Sequence, residues 1–231
     1  GATTSNVKAN TDKGFSICTW TVGSENSTVG HGLNSAPEVI LMKSRSYNLG
    51  WAVQHTGLTN MTDRVLALNS TSAEITAGTS WSAPTSTTFG TSSALVISGE
   101  TWVGYCFHSV SGYSSFGSYS GTGASGNAVT TGFRPAWLMI KNADNATNSW
   151  AIFDNTRDTT NPLELNLFAD DSLAESDYGG EIEFTSTGFT VNSTNNFTNQ
   201  SGNNIIYMAF ADTRDATFFG DTSGNSNNWT P

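Results

Sequence analysis

The chain has 231 residues and a formal net charge of −10, with nine Lys plus Arg against nineteen Asp plus Glu. Charged side chains make up 12% of it, against roughly 25% in average globular domains. So few cations, scattered singly, exclude a nucleic-acid backbone as partner, and no apolar run approaches the roughly 20 residues of a membrane-spanning helix.

Residues 1–13 are polar and read as an N-terminal arm or linker. Strand-length runs rich in β-branched and aromatic residues follow at 15–22, 38–43, 51–54, 65–68, 94–97 and 102–108. A second set lies at 113–119, 136–141, 150–153, 163–168, 182–184, 189–192 and 205–211. Gly, Asn, Ser or Pro bound each run, which is the punctuation of turns. No window holds a long helical period; segments 70–74 and 171–175 read as single helical turns. Residues 213–231 are turn-rich and read as a connector to a following module. With no leader visible and no initial Met, the chain reads as a piece of something longer.

The chain is also written twice. Pro37-Glu38-Val39-Ile40-Leu41-Met42-Lys43 returns 98 residues later as Pro135-Ala136-Trp137-Leu138-Met139-Ile140-Lys141. Trp51-Ala52-Val53 returns after 99 as Trp150-Ala151-Ile152, and Phe107 after 103 as Phe210. A period near 100 residues is domain-sized and too long for a solenoid. The reading is all-β: a tandem of two homologous β-sandwich (jelly-roll-like) domains, residues 14–110 and 111–212.

Cys18 and Cys106 lie in the first and last strands of the first copy. The spacings place them opposite Phe116 and Ala209 of the second, so both are expected to be buried free thiols acting as small hydrophobes.

Reactive chemistry is thinly represented. His31, His55 and His108 are the only histidines, and the second copy has none. Asp154 stands where the first copy has His55, so the expected role of these rings is to hydrogen-bond loop backbone. Asp170, Asp171 and Glu175 are candidate oxygen ligands for Ca²⁺, without the acidic spacing of an EF-hand. No other cofactor is indicated: the chain lacks a nucleophile elbow, a phosphate loop and zinc-ligand spacing. Trp81 and Trp229 lie in polar loop sequence and are the surface candidates for stacking on a sugar; the repeat-matched Trp51 and Trp150 point to a shared core role. No catalytic residue emerges.

Several of these motifs occur together in a known order. Gly30-His31-Gly32-Leu33, Pro37, Ile40 to Lys43 and Trp51-Ala52-Val53-Gln54-His55 resemble the repeated module of tail-fibre proteins of marine and cyanobacterial phages. Val103-Gly104-Tyr105-Cys106-Phe107 followed by Gly112-Tyr113-Ser114 looks like the junction of two such modules. Thr131 to Lys141, Ile206 to Ala211 and Asp221 to Pro231 fit the same family. The resemblance implies a non-enzymatic structural and adhesive part of a virion appendage, assembled in the host cytoplasm. Its partners would be other fibre subunits, in a homo-oligomer and most readily a trimer, and a host-surface glycan or protein. The alternative is a freestanding protein that binds or cleaves glycans.

Overall fold

The computed structural model describes residues 2–78 and 81–212. The first half carries β1 (Ala2–Thr3), β2 (Ser5–Asn10), β3 (Phe15–Thr21), β4 (Thr28–Gly30), β5 (Val39–Ser44), β6 (Ala52–His55), β7 (Arg64–Ala67), β8 (Ile75–Thr76), β9 (Thr88–Gly90) and β10 (Thr101–Phe107). The second carries β11 (Ser114–Ser120), β12 (Asn127–Thr130), β13 (Pro135–Asn142), β14 (Ala151–Asp154), β15 (Leu163–Phe168), β16 (Ser176–Thr185), β17 (Gly188–Val191), the single-turn helix α1 (Asn196–Asn199) and β18 (Asn204–Ala211). The fold is all-β, and no helix among the described residues is long and apolar enough to cross a membrane.

Both halves use one strand order. The first sheet runs β2-β3-β10-β5-β6-β7-β8, and the second runs β11-β18-β13-β14-β15-β16-β17-β12. In each, the last strand lies between the first strand of the repeat and the strand that opens a meander (β5-β6-β7 or β13-β14-β15). This is a meander with an inserted terminal strand rather than a jelly roll, since β5-β6-β7 and β13-β14-β15 pair in chain order. The small outer pair also recurs: Val29 faces Phe89 between β4 and β9, and Val129 faces Phe189 between β12 and β17.

The halves differ in how this pair is attached. In the second half the ten-residue β16 reaches both layers, and the sheet curls into a near-barrel around Leu138, Phe153, Ile182, Phe189 and Tyr207. In the first half the equivalent strand is only Ile75–Thr76, so β4 and β9 form a separate sheet with β1. The residues read as a polar arm make up the difference: β1 pairs with β4 and β2 with β3, so one segment is hydrogen-bonded to both layers. Gly14 turns the chain from β2 into β3 at φ 61°, and a Cβ there would meet the His108 carbonyl oxygen at 2.4 Å.

Strands that read as unbroken apolar runs are buried on both faces. Ile40 and Met42 enter the first half's own core, while Val39 and Leu41 face away from it; Leu138 and Ile140 divide from Trp137 and Met139 in the same way. The outward-facing sets meet. Val39, Val53, Leu66 and Phe107 of the first half pack on Phe116, Met139, Trp150, Met208 and Phe210 of the second, forming a third core between the sheets. Some matched positions, such as Phe107 and Phe210, lie on both sides, but Trp150 is included and its repeat mate Trp51 is not, so the contact is only partly symmetric.

Four departures from the sequence reading have local causes. Segments 70–74 and 171–175 are irregular rather than helical, each an extended link between two strands. Segment 94–97 is a turn rather than a strand; Val96 plugs the core with Leu95 packed against it, while Ile97 is exposed. Cys18 and Cys106 are buried and free, as expected. However, Cys18 does not correspond to Phe116, which faces the third core. Strand register pairs Cys18 with Gly104 and Gly117 with Tyr207, so a cysteine beside glycine in one half becomes glycine beside tyrosine in the other.

Candidate binding groove

The second half does not cover the whole outer face of the first sheet. Directly paired residues share a face of a sheet, so two cross-strand rows run across it. One is Phe15, Phe107, Val39 and His55; the other is Ile17, Tyr105, Leu41 and Val53. The third core takes in Val39 and Val53, and the Phe15, Tyr105 and Leu41 side stays open. The result is a groove of about 570 Å³. Phe15, Phe107, Tyr105 and Leu41 line its floor, Trp51 and Leu68 one wall, and Tyr113 and Phe210 of the second half the other. The rings support one another: Phe15 and Phe107 have centroids 4.8 Å apart, and Trp51 and Tyr105 6.1 Å.

The rim is basic. Lys13 Nζ sits 4.6 Å from the centroid of the Tyr113 ring, a cation–π contact. Asn10, beside it, accepts the Lys13 backbone N–H through its side chain at 3.1 Å. Lys8 pairs across strands with Ile17 and Lys43 with Val103, which puts both lysines on this same face. Lys13 and Lys8 thus stand beside the aromatic surface, while Lys43 lies further along the same face.

None of the histidines enters the groove as a reactive group. His55 Nδ1 accepts the Gly57 N–H at 2.9 Å, so its proton is on Nε2, which donates to the Tyr207 carbonyl at 3.0 Å. His31 does the same with the Leu33 N–H and the Thr85 carbonyl. Burial holds the His55 ring neutral, with its pKa lowered to about 4, and lowers that of His31. His108 bridges the Ser109 carbonyl and the Asn34 side chain. Asp154, standing where the first half has His55, also caps a turn, accepting the Thr156 and Arg157 N–H groups.

The other candidates are dispersed. Asp170 accepts the Trp150 N–H at 2.7 Å, Asp171 accepts the Leu173 N–H at 3.1 Å, and Glu175 pairs with Arg157. These three carboxylates serve three separate local contacts, and no cluster of metal-ligating side chains forms among the described residues. Trp81 is a core residue at 5% exposure, not a surface platform, because its ring joins the first core with Phe89 and Val96; Trp229 lies outside the described residues. Lys141 is fully buried, donates to the Asn142 and Asn145 carbonyls, and has its pKa lowered to about 8 by burial. Its counterpart Lys43 likewise donates to a loop carbonyl, that of Leu49, so both act as loop staples.

The groove residues escaped the sequence reading for a simple reason. Val103, Tyr105 and Phe107 alternate with buried Trp102 and Cys106, so β10 is apolar on both faces, and sequence alone does not say which face stays uncovered.

Residues 1–214 match the model of a family described as a domain of unknown function (DUF7483). The chain belongs to that family. The match takes in the first strands and both sheets, so the family's unit is the pair and not the single repeat. Neither the curated proteins nor the solved structures yield a match.

Proposed function

We propose that this chain is a structural and adhesive module of a phage tail fibre or related virion appendage, and that it performs no catalysis. In this reading its two halves are homologous β-sandwich domains locked into one stiff unit. The shared strand order and the Val29–Phe89 and Val129–Phe189 pairs, each offset by 100, support the homology. The observation that carries the reading is the third core, which joins the two sheets so that the pair resists bending as one body. His31, His55, Asp154 and Asp170 are engaged in holding loop backbone, which suits a structural part. Its partners would be other fibre subunits, in a homo-oligomer and most readily a trimer, together with a host-surface glycan or protein. The virion is its proposed location, after assembly in the host cytoplasm.

A second reading, a freestanding protein that binds or cleaves glycans, draws on the aromatic groove, since sugar rings stack on exposed aromatic faces. A glycan array combined with a reducing-sugar assay separates the two. Neither binding nor turnover supports a spacer; binding without turnover supports a receptor-binding part. Turnover abolished by a single carboxylate substitution would overturn the non-enzymatic reading.

A further inference from the structure

The contact between the halves is made once where its symmetry would allow it twice. Trp150 of the second half is buried against the first and donates its indole N–H to the Ala67 carbonyl at 3.0 Å. Its repeat mate Trp51 instead lines the open groove. Segment 70–74 of the first half reaches across, the Glu74 N–H bonding the Ala143 carbonyl at 2.7 Å. The corresponding segment of the second half, 171–175, is exposed throughout, and its hydrogen bonds run to Asp171, Arg157 and Tyr178 within that half. One copy therefore carries an uncovered face and, elsewhere, the element whose repeat mate helps to cover such a face.

The two remainders also match chemically. Leu173 stands out of segment 171–175 at 50% exposure, and its backbone N–H is held by Asp171. Asp171, Glu175 and Asp177 flank it, all exposed. The groove is apolar in the middle, with Lys13 on its rim and Lys8 on the same sheet face beside Ile17. An apolar side chain beside the exposed carboxylates of Asp171 and Asp177 thus complements an aromatic groove beside the ammonium groups of Lys8 and Lys13. Opposed charge would set the register, and burial of the exposed half of Leu173 would favour the contact.

We propose that the groove receives the Leu173 loop of a second copy of this chain, so that copies associate head to tail. Such a contact is heterologous and propagates into an array unless rotation closes it into a ring. The inference deepens the assembly part of the proposed function and rests on it.

The test uses the full chain, with light scattering at low and high salt. Concentration-dependent association that weakens with salt is expected. Leu173→Glu, in an exposed loop, and Tyr105→Glu, in the groove, should each weaken it at least tenfold, with Lys13→Glu, at an exposed position, as a milder groove variant whose folding circular dichroism checks. Mixing Leu173→Glu with Tyr105→Glu should restore a contact that stops at two copies, since each variant retains one intact partner surface. A wild-type monomer at every concentration overturns both the inference and the assembly reading. Association unaffected by Leu173→Glu overturns the inference and leaves the assembly reading standing. Saturable binding of a neutral glycan that Tyr105→Glu abolishes, without self-association, gives the groove to a different occupant and overturns the inference.

Discussion

His55 and Tyr207 lie 152 residues apart in the chain, and the imidazole Nε2–H of the first holds the backbone carbonyl of the second at 3.0 Å. The bond is fully buried and runs from the first half to the second. Asn204 repeats the link nearby, donating its side-chain N–H to the Gly57 carbonyl at 2.7 Å. The turn that His55 caps is therefore the turn that the second half grips.

That arrangement makes stability depend on pH. A histidine in an unfolded chain titrates near 6.5, and folded His55 near 4. Between those values the unfolded chain binds a proton that the folded chain refuses. The contribution is thus complete above about pH 6.5 and lost as pH falls toward 4, to a total of about 3 kcal/mol. His31 shifts in the same direction. Asp158 acts lower on the scale: burial opposes its charge, but hydrogen bonds from Leu165, Thr160 and Glu164 outweigh that and depress its pKa, so its contribution disappears only in stronger acid. Urea unfolding across pH should show the first loss between 6.5 and 4, and His55→Gln should flatten that part of the profile.

The matched tryptophans should respond unequally. Trp150→Ala removes a ring at 1% exposure and its bond to Ala67, and should cost about 3–5 kcal/mol. Trp51→Ala removes a half-exposed groove wall and should cost about 1 kcal/mol or less. Equal losses in chemical denaturation would contradict the asymmetric packing of the halves.

Cutting the chain between β10 and β11 should not release two stable domains. Each half would expose its share of the third core, including Phe107 on one side and Met139, Trp150 and Met208 on the other. Expressed alone, residues 111–212 should aggregate or unfold at markedly lower urea than the intact chain. The intact chain should unfold in one transition when followed by both fluorescence and circular dichroism.

The glycines opposite Cys18 and Tyr207 are spacers for their neighbours. A Cβ on Gly117 would meet the Tyr207 hydroxyl at 2.9 Å, and one on Gly104 the Cys18 sulfur at 3.2 Å. Gly117→Ala should cost about 1–3 kcal/mol, and adding Tyr207→Phe should recover part of it. The Cys106 thiol is pushed well above its ordinary pKa, first by its hydrogen bond with Cys18 and then by burial, so it should resist alkylation in the native state. Two reactive thiols should appear only on denaturation.

Much of this was legible in the residues. The 98-residue return of Pro37 to Lys43 marks equivalent central strands, and the unbroken apolar runs mark strands buried on both faces. Strand position follows from the alternation of side chains and from turn residues, which are short-range effects, so β3, β5, β10, β13 and β18 lie close to where the pattern places them. What covers each face is a long-range matter. Period-two alternation separates Tyr105 from Cys106 without saying that one lines an open groove and the other a closed core. It cannot tell Trp51 from Trp150, which have the same local sequence and different neighbours. The polar first residues become strands only because two edge strands offer unpaired backbone groups to complete, and a one-residue slip in register turned Phe116 away from the position held by Cys18. Sequence alone determined the all-β class, the repeat and the buried character of its central strands; only the packing of one sheet on the other decided which surfaces remained free, because burial depends on partners distant in the chain.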